Sequence, residues 1–522
     1  MPMKKPLSMK FKTSEHLTNQ QVQSGLKLVI GDGLTAEAMV TLTGGTFLMA
    51  MAVGMGASNF QIGLLASLPT FTNIFQLISI WLVQKYNNRR AVMVISSFFA
   101  RTPLFIIGLL PFLFSTGTSV QVLIFLLSFH YFFGSIAGAS WNSWMKDLVP
   151  ENILGTYFSR RSRLTQTLNV VLSLVLALSL DYIKKYYPQM ELTAYSIMFV
   201  VGALIGMLGV YFLSRTPEPR SYLAKENLFK LFGKPLKDKN FRQLLAFNSF
   251  WAFALNIATP FFSVYMMKSL NLPLSTIIGL GLLAQVSSIF SIQMWGRYSD
   301  QYSNKTIMSI AAPIYIACIL AWTFTAMGST SMIVLGLLAI INVFTGISTA
   351  GINLTLNNIC LKLSPKDESI VYISARNIIV AFVSAVGPMV GGWLADFFSK
   401  RNLQWNINWE GPKGSAVVSL IDLHNWNFLF LIGGLLAMIS LYLLRNVNEE
   451  GEVEKGIVIG KMRVAFQQKL IERTRKEALL SYFAFPVTYP IALTNKVKSR
   501  IENRVVRMRR LQSINEIRKR AA

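Results

Sequence analysis

Runs of roughly 20 apolar residues recur along this chain, and nothing limits its fold more. Each is long enough to cross about 30 Å of hydrocarbon as a helix. Twelve are read, at about 28–54, 61–83, 91–112, 120–144, 162–183, 194–213, 243–267, 275–295, 306–327, 331–356, 374–398 and 426–444. Backbone groups in lipid must be satisfied within their own segment, so helices are expected. The alternating strands of an outer-membrane barrel, roughly ten residues each, are not found. Composition agrees: 52% of the 522 residues are hydrophobic and 14% are charged, against about 25% charged in a soluble chain. The expected fold class is an all-α membrane protein.

A net charge of +26 could point to nucleic acid, but its placement points to topology. An even number of spans puts both termini on one side. That side collects Lys4, Lys5, Lys10 and Lys12, then Lys85, Arg89 and Arg90, then Arg160, Arg161 and Arg163, and eight basic residues from Arg215 to Arg242. The opposite loops carry little beyond Lys184, Lys185, Lys268, Lys400, Arg401 and Lys413. The positive-inside rule then places both termini in the cytoplasm. A multi-pass protein of a bacterial cytoplasmic (inner) membrane is expected, with no nucleic-acid partner. The opening "MPMKKPLSMKFKTSEHLTNQQ" is polar, lacks the apolar core of a signal peptide, and reads as a cytoplasmic tail. Cys318 and Cys360 fall inside spans and imply no disulfide framework. His16, His130 and His424 have no zinc-ligand spacing, so no metal or other cofactor is expected.

A polar stretch at about 214–242, "SRTPEPRSYLAKENLFKLFGKPLKDKNF", splits the spans six and six. A constant offset of 215 residues pairs Arg90 with Lys305, Asn142 with Asn357, Pro150 with Pro365, Tyr157 with Tyr372, Arg161 with Arg376 and Asp181 with Asp396. The same residues at corresponding ends of spans indicate a parallel duplication of six-helix halves. The expected domains are a tail at 1–26, a bundle at 27–213, a linker at 214–242, a second bundle at 243–445 and a basic tail at 446–522. Between spans eight and nine lies "GRYSDQYSNK", and its twin "WLVQKYNNRR" lies between spans two and three. With the six-plus-six layout these resemble the major facilitator superfamily, whose signature in that loop is G-x-x-x-D-R/K-x-G-R/K-R/K. Gly296, Asp300 and Lys305 match it, while Gln301 and Asn304 depart. Arg89 and Arg90 match in the first half, where Trp81 and Lys85 replace the glycine and the aspartate. The resemblance covers about 27–445 and implies two pseudo-symmetric bundles around a central cavity, lined by spans one, four, seven and ten. It also implies a cytoplasmic gate at Arg89, Arg90, Gly296, Asp300 and Lys305. In physical terms an Asp300–Lys305 pair could latch the halves together, or it could be a solvated surface pair worth about 0–1 kcal/mol.

Other family signals are partial. "GPMVGG" at 387–392 is similar to an antiporter motif but lies in span eleven, where close helix packing is the plainer reading. "PEPRSYL" after span six is one residue short of a sugar-porter motif, and His130 and Gly134 stand where the family's span-four motif has arginine and glycine.

Polar groups inside spans are costly and therefore informative. Span one carries Asp32, expected near cytoplasmic water, and Glu37, expected deeper on a face with Thr41. The corresponding face of span seven bears Asn248 and Asn256. Asn342, Thr345, Thr349, Asn353 and Asn357 form a stripe on span ten, whose counterpart in span four is His130, Gly134, Gly138 and Asn142. Each asparagine could glue helices together or line a cavity; the stripe favours the cavity. Arg101 needs a partner, either Glu37 or Asp32, and the pair is either structural or part of ion coupling. An isolated Glu37 would carry a proton; a paired one would stay charged. After about residue 495, apolar residues recur at steps of three and four among arginines and lysines, as in a helix lying on anionic lipid.

The expected function is secondary active transport of a small-molecule substrate by alternating access, coupled to protons through Glu37. No P-loop appears, so ATP is not the expected driving force, no enzymatic activity is expected, and a monomer suffices. The different-class alternative is a scaffold or assembly factor that keeps the fold without transporting.

Overall fold

The computed structural model describes residue 14 and residues 17–114, 116–150, 153–219, 233–326, 331–365, 369–411, 414–424, 426–449, 451–453 and 456–461. Among the described residues, twelve helical stretches are long and apolar enough to cross a membrane. They are spans 1 to 6, Asn19–Gly54, Asn59–Tyr86, Arg89–Leu113, Thr118–Leu148, Leu154–Tyr186 and Pro188–Arg215. Spans 7 to 12 are Lys239–Lys268, Leu274–Gln301, Asn304–Thr325, Met332–Leu363, Val371–Phe398 and Trp426–Leu444. The chain is therefore a multi-pass membrane protein. Several helices outrun their apolar runs; span 5 starts at Leu154, ahead of Arg160, Arg161 and Arg163. Hydropathy reports only the part of a helix that meets lipid, and the helix continues into water.

Local signals set the helix starts. Thr18 with Gln21 and Ser58 with Gln61 form reciprocal capping boxes at spans 1 and 2. The Asp238 side chain caps span 7. Span 1 breaks into Asn19–Thr43 and Gly45–Gly54, where Gly45 takes φ +55, a conformation that glycine adopts without a Cβ penalty.

The duplication is visible in the packing. Span 3 packs on spans 4 and 6, span 1 on 5 and 6, and span 2 on 4. In the second half span 9 packs on 10 and 12, span 7 on 11 and 12, and span 8 on 10. All five pairings repeat, so the fold is two six-helix bundles of one design. The halves meet where span 2 lies on span 11 and span 5 on span 8. Gly63 and Gly392 allow the first of these approaches: a Cβ on Gly63 would strike the Pro388 carbonyl, and one on Gly392 the carbonyl of Asn59. The "GPMVGG" segment is thus a packing surface.

One element is additional to the helices. Between spans 11 and 12, strands β1 (Asn402–Gly411) and β2 (Gly414–His424) pair antiparallel, with a register shift at Trp405/Asn406. The period-two alternation of "NLQWNINW" carried that signal. Val453–Ala522 form a separate unit. The amphipathic helix expected after 495 lies outside the described residues.

Candidate functional site

The side of the bundle that bears Asn19 and Leu444 is called the terminal side below, and the other the far side. In the first half, the two acids of span 1 have different partners. Asp32 is 3% exposed, and its carboxylate lies 3.7 Å from the Arg101 guanidinium. That distance makes an ion pair rather than a hydrogen bond; Arg101 donates to the Gly206 carbonyl of span 6 instead. The expectation that Asp32 reaches water is therefore corrected, because spans 3, 5 and 6 close over it. A Cβ on Gly33 would touch the Arg161 guanidinium of span 5, and one on Gly209 would touch Arg101 and Asp32.

Glu37 meets no cation among the described residues. Its carboxylate accepts from Asn169 Nδ2 at 3.0 Å, and the same nitrogen donates to Thr41 Oγ1 at 3.0 Å. Asn169 of span 5 was missed in the sequence, although a lone asparagine in an apolar run is the signal that singled out the others. Of the two candidate partners, Arg101 takes Asp32. His130 holds its Nδ1 2.6 Å from the Ala100 carbonyl, so that nitrogen carries a proton. Gly134 and Gly138, one and two turns further along span 4, face open space. Arg161 stacks over Trp141 at 4.8 Å.

The second half is polar but almost uncharged inside. Asn248 is buried with neither side-chain atom hydrogen-bonded. Asn256, Asn342 and Thr349 donate to carbonyls four residues back on their own helices, namely Ala252, Leu338 and Thr345. Those bonds leave the choice between glue and cavity to exposure. Asn353 and Asn357 are exposed although they lie within span 10, where an exposed amide belongs in a water-filled space rather than in lipid. Arg376 of span 11 donates to Asn357 Oδ1 at 3.2 Å. Along span 5, Arg160, Arg163, Leu164, Thr167, Leu168 and Val171 line a cavity of ≈ 520 Å³.

On the terminal side, the residues expected to gate the halves act within each half. Glu218 accepts from the backbone N–H groups of Arg89 (2.7 Å) and Arg90 (3.2 Å) at the start of span 3. Glu449 does the same for Asn304 (3.3 Å) and Lys305 (2.7 Å) at the start of span 9. Arg89 pairs with Asp147 and Glu218, and Arg90 donates to the Thr216 carbonyl. Lys305 Nζ lies 2.8 Å from Glu452, so the expected Asp300–Lys305 pair is not formed and Asp300 stands exposed. A Cβ on Gly296 would sit 3.9 Å from Leu354 of its own half, an ordinary contact, so no close approach of the other half requires glycine there. These contacts have a local reason: a helix start offers unpaired N–H groups, and the carboxylate that takes them gathers the neighbouring cations; a latch between the halves in the other state of the cycle stays a proposal. Burial pushes the Glu218 carboxyl up, against the Arg89 and Arg90 amides and guanidinium charges that pull it down. At Glu449 burial also pushes up, but bonds from Asn304, Lys305 and Lys362 outweigh it and hold the carboxyl below its ordinary value.

On the far side the same chemistry crosses between the halves. The Asp181 carboxylate of span 5 accepts from the N–H groups of Leu274 and Ser275, both at 2.8 Å, at the start of span 8. The Asp396 carboxylate of span 11 accepts from Asn59 (3.2 Å) and Phe60 (2.9 Å) at the start of span 2. Every member of one joint lies 215 residues from its counterpart in the other. A carboxylate at a helix N-terminus satisfies orphan donors and meets the positive end of the helix dipole.

Comparison with known proteins places this geometry. The family model described as Major Facilitator Superfamily matches residues 33–369. No curated protein matches the chain. A solved mutant of the nucleoside transporter NupG superposes with TM-score 0.62 at 15% identity, over 82% of this chain and 100% of that one. A bacterial homologue of the iron transporter ferroportin, in its inward-facing state, gives 0.55 at 12% identity, over 83% of this chain and 100% of the other. A D-xylose–proton symporter gives 0.55 at 14% identity, over 83% and 99%. At such identities the likeness is one of fold.

Proposed function

The chain belongs to the Major Facilitator Superfamily, and from that premise we propose that it is a secondary active transporter. It moves a small solute across a bacterial cytoplasmic membrane by rocking its two halves about a midplane site. The observation that carries this reading is the far-side joint. Each half lends one carboxylate to a helix start of the other, so a modest rotation can undo the joint. The terminal-side ion pairs stay within one half and stiffen it. Two stiff halves with a separable joint are the parts that alternating access needs, whereas a scaffold has no use for them. With the termini in the cytoplasm, the joint is extracytoplasmic and this conformation opens inward.

Proton coupling is assigned to Glu37. The described partner of its carboxylate is the neutral Asn169 amide, so a change of its charge breaks no ion pair. Asp32 has Arg101 for a counter-ion and is read as structural.

The test is a pair of spin-label distances in reconstituted protein: Gln189 to Lys400 across the far side, and Lys85 to Asp300 across the terminal side. Replacing a capping side chain by alanine costs about 0.5–2 kcal/mol, so Asp181→Ala with Asp396→Ala should shift the populations roughly fivefold or more. The far-side distance should lengthen and the terminal-side distance shorten in step. Unchanged distances on both sides would favour the scaffold.

A further inference from the structure

The duplication is unequal in charge, and among the described residues one arginine of the second half has no counter-ion. In the first half Asp32, Glu37 and Arg101 lie inside spans 1 and 3, and Arg161 lies in the opening turns of span 5. The positions 215 residues further on hold Phe247, Ala252, Ile316 and Arg376. Three of the four charges are gone, and the cation on span 11 remains. Its repeat mate Arg161 lies in the field of Asp32 and stacks on Trp141. The described contacts of Arg376 are neutral: the Asn357 amide oxygen at 3.2 Å and the Cys360 thiol. Its Nε is enclosed and has no acceptor. Among the described residues no carboxylate reaches it. Of the acids from span 7 through span 11, Asp300 is exposed at the end of span 8, Asp396 caps the start of span 2, and Asp367 and Glu368 fall outside the described residues.

We infer that Arg376 and Asn357 form an anion-binding site, and that the cargo carries a carboxylate or phosphate group. The inference rests on the transport reading and names its substrate class. A guanidinium with an enclosed nitrogen and no acceptor is costly unless paired, and a transporter can take its pair from the solute. Arginine suits that task because its planar fork bonds two oxygens of one carboxylate or phosphate. An arginine that merely reached for interfacial water would have a free head. Here the head is held by Asn357, whose exposed amide continues the stripe of Asn353 and Thr349 along span 10. Anions would enter the site from the side rich in cations, where Arg160 and Arg163 line the cavity on span 5.

The experiment measures ligand-induced thermal stabilisation of the full-length protein in uncharged detergent, which requires no movement of the halves. The probes are inorganic phosphate and three matched pairs: glycerol 3-phosphate with glycerol, gluconate with glucose, benzoate with benzyl alcohol. At least one anion should raise the melting temperature where its neutral twin does not. Arg376→Gln should weaken that response roughly tenfold or more. Asn357→Asp, a change of one exposed group, should do the same by giving the guanidinium an internal carboxylate. Nanodiscs of neutral and anionic lipid separate the two sources of such a group. Stabilisation by anionic lipid alone would assign the site to a headgroup and overturn the anionic cargo. No response to any anion, or equal responses from wild type and both variants, overturns the inference. Loss of transport with anion binding intact would instead count against the transport reading.

Discussion

Asp32 and Glu37 stand five positions apart on one helix and have opposite surroundings. Glu37→Gln keeps the shape and removes the titration. In proteoliposomes it should abolish accumulation driven by a pH gradient while sparing substrate exchange; accumulation at the wild-type level would clear Glu37 of the coupling role. Asp32→Asn should act on stability instead, because it leaves Arg101 buried without a counter-charge. Breaking such a pair costs about 3–5 kcal/mol, and Arg101→Leu in the same chain should recover much of the lost melting temperature. The two loop glutamates give a pH test with opposite signs. Glu449 is held below its ordinary value, so its contribution is full above about pH 4.3 and fades as pH falls through the lowered folded value. Glu218 is held above it, so its contribution is full below that same unfolded value and is lost as pH rises through the raised folded one. Glu449→Gln should therefore lower the melting temperature at pH 7 and matter less in acid. Glu218→Gln should instead remove a gain in stability that the wild type shows on acidification.

Spans 2 and 11 touch through glycines, and the contact is tight enough to be tested one methyl group at a time. Gly63→Ala places a Cβ against the Pro388 carbonyl, a backbone atom that cannot swing aside. The far-side distance should lengthen and the outer joint loosen. Gly134→Ala meets open space, so it should leave both label distances and stability near wild type. If the two variants behave alike, the close approach of spans 2 and 11 is not what holds the far side shut.

Across the whole molecule the repeat decides what is symmetric and what is not. The two far-side joints obey it residue for residue, whereas on the terminal side the capped helix starts obey it and the carboxylates that cap them, Glu218 and Glu449, do not. Opening the far side breaks both outer joints at once, so Asp181→Ala and Asp396→Ala should shift the label populations by similar factors. Their free energies should add in the double variant; a large effect from one aspartate alone would show that the joints are not equivalent. The interior charges break the repeat, and the anion site follows from that break.

The sequence by itself determined the twelve spans, the expected sidedness, the duplication and its 215-residue offset, because each is written in neighbouring residues or in a repeat. It also ranked Glu37, Asp32 and Arg101 as costly, since the cost depends only on their lying in apolar runs. It could not assign their partners. Glu37 finds Asn169 132 residues away, Asp181 finds Leu274 93 residues away, and Asp396 finds Asn59 337 residues away. Asp181 and Asp396 stood in the sequence as a repeated pair with no role, and the Gly296–Lys305 motif suggested a joint on the terminal side. Only the tertiary structure shows that the joints between the halves lie on the far side. A helix start accepts whichever carboxylate is brought to it, and that depends on how the bundles pack.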